Sequence, residues 1–296
     1  WAAGRKSAWA TGSQSEPGAF ADCPESCRSR IPTRSCVTKP PGPPTMAAMP
    51  SPAEQRFAAV LMDVFESLDW VRLGELYCEE GGESFFPPAQ REAIVDAGLR
   101  FAGDVAEAVG PRAGRSLYVG AALGELAPML CEAIVLERQV VAINLENEET
   151  AAINRALERA EQEHGGDLPR LRFGDWDPMD VGRCEHAWIV SVLTDPDAFP
   201  ALHDELYERS GTPLATQRGH LPNELFAARE LVAKALDCCS PGTFVTTTDE
   251  ELPFFVEQCE RRGWRLEVSE TARLSAIVGD PVRISRIERD GSVSAT

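Results

Sequence analysis

The sequence predicts an α/β protein: a doubly wound, mostly parallel, seven-stranded sheet with a terminal antiparallel hairpin and an N-terminal helical cap. Three observations carry that prediction. First, Ser116–Asn144 reads as strand, glycine-containing turn, amphipathic segment and second strand, which is one β-α-β unit. Second, short apolar strands and helical segments alternate from Arg115 onward, the pattern of a parallel sheet covered on both faces. Third, the last two strands are joined only by ARLSAIVGDPV, too short for a crossover helix, so they should pair antiparallel.

Two helices precede the sheet. Over Pro52–Trp70, Phe57, Val60, Leu61, Val64, Phe65 and Leu68 recur at three- and four-residue steps, with Ser51 and Glu54 forming a capping box. Pro88–Val109 repeats the pattern through Ile94, Leu99, Val105 and Val109 and ends at Gly110-Pro111. EEGGESFFPP between them reads as a loop, and the pair should cap the sheet. Strands are then readable at Ser116–Val119, Val140–Asn144, Arg170–Phe173, Ala187–Leu193 and Thr243–Thr247. Helices separate them at Glu125–Glu137, Glu148–Glu163, Phe199–Arg209 and Asn223–Leu236. Helix Leu252–Arg262, strand Arg265–Thr271 and a strand near Arg283–Ile287 complete the series. The expected organisation is a leader over residues 1–45, a helical cap over 46–111 and an α/β domain over 112–296.

The leader has no hydrophobic periodicity and is rich in Gly, Pro and Ser, so disorder is expected there. The first methionines are Met46 and Met49, directly before the first periodic sequence. A frame translated upstream of the true start is the favoured explanation over a genuine unstructured leader. The leader lacks the apolar core of a secretory signal, and no later stretch is long and apolar enough to span a membrane. A cytoplasmic location is therefore expected. The chain carries a net charge of −18, and because the leader contributes +3 the rest holds −21. So acidic a body repels a phosphate backbone, which argues against a nucleic-acid substrate. Of nine cysteines, Cys23, Cys27 and Cys36 lie in the leader without nearby histidine, a poor zinc pattern, and no metal site is expected. Cys78, Cys131, Cys184, Cys238, Cys239 and Cys259 are scattered and read as reduced core or surface thiols.

Tyr118-Val119-Gly120-Ala121-Ala122-Leu123-Gly124, the second strand ending at Asn144, FGDWD and SPGTFVTTT together resemble a class I S-adenosylmethionine-dependent methyltransferase from Arg115 to Glu288. The resemblance implies S-adenosylmethionine as cofactor, with Gly120 and Gly124 at the glycine turn, Asn144 at the ribose, and Asp175 beside the adenine with Trp176 as a wall. Three positions depart from the family pattern. Tyr118 replaces the carboxylate facing the ligand's ammonium end, Ala122 places a methyl where backbone approaches the ligand, and Asn144 replaces an acidic residue. An amide cannot accept a charge-assisted bidentate pair, a loss of about 1.5–3 kcal/mol; Glu146 is the candidate replacement.

The catalytic residues are not identified by any motif. His203 and His220 flank TPLATQRGHLP, which should overhang the site, and each is a weak candidate base against the plainer reading of a solvated loop histidine. Two functions follow: a methyltransferase acting on a small molecule, or a non-catalytic member with a decayed cofactor pocket that binds a protein partner. A nicotinamide-dependent oxidoreductase is a lesser alternative, because G-x-G-x-x-G is absent.

Overall fold

The structure, a computed structural model, describes residues 50–78, 81–111, 113–207 and 219–290. The leader with its three cysteines, the two methionines and most of TPLATQRGHLP lie outside the described residues. The first helix, α1 (Pro52–Ser67), begins with the capping box read from sequence: Ser51 N–H donates to Glu54 Oε2 at 2.6 Å and Glu54 N–H to Ser51 Oγ at 3.2 Å. The helical period runs on to Trp70, but the chain breaks at Leu68. Asp69 caps a separate α2 (Trp70–Tyr77), its side chain accepting from Arg72 N–H at 3.0 Å. A 3-10 turn (Gly82–Ser84) and α3 (Pro88–Val109) follow.

The α/β series is β1 (Arg115–Val119), a 3-10 turn (Leu123–Glu125), α4 (Leu126–Ile134), β2 (Gln139–Asn144), α5 (Glu148–His164) and β3 (Leu171–Phe173). It continues through α6 (Pro178–Val181), β4 (His186–Ile189), α7 (Pro200–Leu206), α8 (Leu221–Asp237), β5 (Phe244–Thr248) and α9 (Leu252–Arg261). Strands β6 (Trp264–Glu267), β7 (Arg273–Leu274) and β8 (Pro281–Arg289) close the chain. The main sheet order is β3-β2-β1-β4-β5-β8-β6. The first five strands pair parallel, and β8 runs antiparallel to both β5 and β6. The closing hairpin is thus as the short connection requires. One strand more than the seven read from sequence is present, because two residues of that connection form β7 on the edge of β8.

Strand alternation divides the core in two. Tyr118, Ala142 and Trp188 face α1, α3, α4 and α5, whereas Leu117, Val119, Val141, Ile143, Ala187, Ile189 and Val245 face α8 and α9. Burial on both faces explains why these strands read as unbroken apolar runs. The N-terminal helices cover only the first face: α1 packs on α4 and α5, and α3 packs beside α4 over Trp188. Gly98 lets α3 approach closely, since an added Cβ would stand 2.9 Å from Ala127 Cβ.

Candidate functional site

In an open α/β sheet, ligands bind beyond the carboxyl ends of the strands. Here those ends carry Gly120–Glu125, Asn144–Glu146, Gly174–Trp176 and Val190–Asp195. The resemblance named the first three groups. The fourth, which follows β4, decides the geometry.

Gly120 has φ +74°, a conformation glycine adopts without strain, and an added Cβ would collide with Val192 Cγ2. The side chain of Val192 thus lies against the glycine whose bare backbone a ligand would approach. The loop bearing it is held firmly. Glu251 Oε1 accepts from the N–H groups of Val192 and Leu193, both at 2.7 Å, and Oε2 accepts from Ser191 N–H at 3.1 Å and Thr247 Oγ1 at 3.1 Å. Ser191 sits at φ +56°, and its hydroxyl donates to Asp280 Oδ2 at 3.0 Å. Three backbone donors on one buried carboxylate stabilise a conformation that a serine rarely adopts. His203, carried on α7 and fully buried, adds a contact at 2.6 Å from Nδ1 to Thr194 O.

On the other face of the sheet, α3 covers the ends of β1 and β4. Ile94, Phe101, Gly124, Glu125, Trp188 and Val190 line a cavity of about 20 Å3, room for roughly one water. Phe101 meets Trp188 edge-on at 5.6 Å, and Trp188 stacks on Tyr118 at 5.5 Å. Tyr118 does not reach any cleft: it is buried, and its hydroxyl donates to Glu132 Oε1 at 2.6 Å. Around Glu132 gather Ser116, His186 Nδ1 at 2.6 Å and Arg138 Nε at 2.9 Å. Burial alone would raise the Glu132 pKa, but the His186 charge and hydrogen bonds from His186, Ser116 and Tyr118 bring it down to about 2.

The remaining named residues are dispersed. Asn144 Nδ2 donates to Ala121 O at 2.6 Å, and its Oδ1 accepts from Leu145 N–H at 2.7 Å, so the amide binds the turn itself. Gly124 has open space around its Cα, and Glu146 is exposed. Asp175 is ion-paired with Lys234 of α8, its side chain 93% exposed, and Trp176 packs beneath Lys234 with Nζ 4.8 Å from the ring centre. Asp175, Trp176, Asp177, Asp180 and Lys234 line an open surface depression. His220 is exposed at the start of α8. The structure therefore groups Gly120, Gly124 and Asn144 around one turn and leaves Asp175, Trp176 and both histidines apart from it.

Three positions that shape the strand ends were not among the candidates read from sequence: Glu125, Val192 and Glu251. Glu125 Oε2 accepts from Ala122 N–H at 2.9 Å, and burial pushes its carboxyl up to about 7. Its signal was a lone acid between Gly124 and the apolar run LAPML. Beside it, Glu149 accepts from Tyr77 OH at 2.7 Å, and both Glu149 and Asp195 are raised, chiefly by burial. Among the described residues no cluster of three or more metal-ligand side chains is placed to hold an ion, and no helix is long and apolar enough to cross a membrane.

No protein-family model and no curated protein matches the chain. Among solved structures it is similar to precorrin-6y C5,15-methyltransferase from Geobacter metallireducens GS-15, at 11% identity and a TM-score of 0.39, covering 64% of this chain and 86% of that one. It is similar to P. horikoshii TYW2 in complex with MeSAdo, at 15% identity and a TM-score of 0.40, covering 69% of this chain and 64% of that one. A third similar structure is the B. subtilis M1A22 tRNA methyltransferase TrmK, at 10% identity and a TM-score of 0.38, covering 66% and 68%. Likeness this remote carries no conclusion about activity.

The fold rests instead on the sheet. An order of β3-β2-β1-β4-β5 with helices on both faces defines a Rossmann-like protein. The antiparallel β8 inserted between β5 and β6 separates it from the dinucleotide-binding order and makes it the class I methyltransferase-like form of that fold.

Proposed function

We infer that this chain is a non-catalytic protein of the methyltransferase fold, whose cofactor cleft its own side chains fill and whose surface serves partner binding. The observation that carries this reading is the packing of Val192 against Gly120, the turn glycine whose bare backbone a ligand would approach. Three contacts argue against S-adenosylmethionine at this turn: the turn glycine is covered by Val192, the Asn144 amide is engaged with backbone, and Tyr118 is buried on Glu132. For a partner, edge strand β3 offers Phe173 next to Leu145, both exposed, on an acidic body suited to a basic protein surface.

A second reading has its own support. Glu125, a buried carboxyl with a pKa near neutrality at the strand ends, is the kind of group active sites use. On that reading the Val192 loop withdraws to admit S-adenosylmethionine and a small-molecule substrate. A thermal-shift titration with S-adenosylmethionine on the wild type and Val192→Gly separates the two. No shift in the wild type supports the filled cleft, and a shift confined to Val192→Gly identifies the side chain that fills it. A saturable upward shift in the wild type supports the enzyme.

A further inference from the structure

The cysteines at the opposite end of the sheet take no part in the cleft at the carboxyl ends of the strands. Cys184 lies two residues before β4, and Cys238 caps the last turn of α8. Their backbones are directly bonded, Cys184 N–H donating to Cys238 O at 2.7 Å. That spacing brings their Cα atoms into the range of about 4.4–6.8 Å that a disulfide requires. Both thiols also converge on one helical turn: Cys184 Sγ donates to Gly182 O at 3.7 Å and Cys238 Sγ to Pro178 O at 3.9 Å, the two ends of α6 and its cap. We propose that Cys184 and Cys238 form a vicinal dithiol in space, a site of reversible oxidation to a disulfide that ties the start of β4 to the end of α8.

Each thiol shifts the other's ionisation. A hydrogen bond from Cys184 lowers the Cys238 pKa, against burial, whereas the Cys184 thiol is raised by its bond to Cys238 and by burial. Cys238, once it has lost its proton, is the attacking sulfur. With a low-molecular-weight disulfide as oxidant, Cys238 Sγ attacks one sulfur of that disulfide and expels a thiolate. Cys184 then gives up its proton, attacks the Cys238 sulfur of the mixed disulfide and expels the second small thiol. Two protein thiols are oxidised and one small disulfide is reduced to two thiols. The pair is buried, yet Arg183, Glu185 and Asp237 beside it are exposed, so it lies one residue beneath the surface where the end of α8 can fray. Cys239 is the control: it is also buried, but its Sγ is turned to Ala235 O at 3.3 Å in the last turn of α8.

The test is oxidation of the full chain with glutathione disulfide, native and in urea, followed by peptide mapping under non-reducing conditions. The expected result is a Cys184–Cys238 peptide that has lost two hydrogens, formed in the native protein, retained in Cys239→Ala and lost in Cys238→Ser. Reduction with a dithiol should return both free thiols. A native protein in which this peptide is absent, or in which the pair forms only after unfolding, overturns the proposal, as does native pairing through Cys239 instead.

Discussion

Glu132 is the residue on which most of the buried charge depends. Its carboxylate answers Arg138, His186, Ser116 and Tyr118 at full burial, so Glu132→Ala removes the fully buried partner of the Arg138 guanidinium and one acceptor each from His186, Ser116 and Tyr118. The expected loss is about 3–5 kcal/mol in urea unfolding. Because its folded pKa of about 2 lies below the ordinary 4.5, the stability it contributes is complete above pH 4.5 and lost as pH falls toward 2. Glu125 has the opposite sign. With a folded pKa of about 7 it favours the native state below pH 4.5, and that contribution disappears as pH rises from 4.5 through 7. Glu125→Gln keeps an oxygen for Ala122 N–H, so it should flatten stability between pH 4.5 and 7 and gain on the order of 3 kcal/mol at pH 8. Unfolding midpoints across that range check both statements. At Gly120 the positive φ and the Val192 contact act together, so Gly120→Ala should cost at least about 1–3 kcal/mol, measured the same way.

At the scale of elements, α3 covers the first face of the sheet beside the small cavity at Glu125, and its attachments are specific. Gln90 Nε2 donates to Ala276 O at 2.7 Å, Arg273 is ion-paired with Asp104, and Gly98 sits against Ala127. Gly98→Val should push α3 from α4 and destabilise the chain by roughly 1–3 kcal/mol. Changes in cavity volume would then show as altered Trp188 fluorescence. Much of this layer was legible beforehand. The capping box of α1 and the apolar runs of β1, β2 and β4 are local patterns, and local patterns survive in sequence; in α3, Ile94, Val105 and Val109 are buried as read, whereas Leu99 is exposed and Phe101 takes the buried face. The break at Leu68 was hidden because the apolar period continues straight through it to Trp70. Strand β7 was hidden because two residues show no alternation, and it exists only by pairing with β8. Asn144 and Asp175 could be placed at strand ends, but their partners Ala121 and Lys234 come from elsewhere in the chain.

For the whole molecule, the order of elements fixed the class of fold, since alternating strands and helices with a short final connection admit few topologies. The state of the site is a different kind of property. It depends on Val192 meeting Gly120 from the end of the strand beside it and on Glu251, the N-cap of α9, holding the Val192 loop. None of these contacts joins neighbours in sequence, and no single residue type announces them. The filled cleft is the central claim, and calorimetric titration of the full chain with S-adenosylmethionine tests it most directly. The account predicts no saturable heat up to millimolar ligand; a micromolar Kd for the wild-type protein would contradict it.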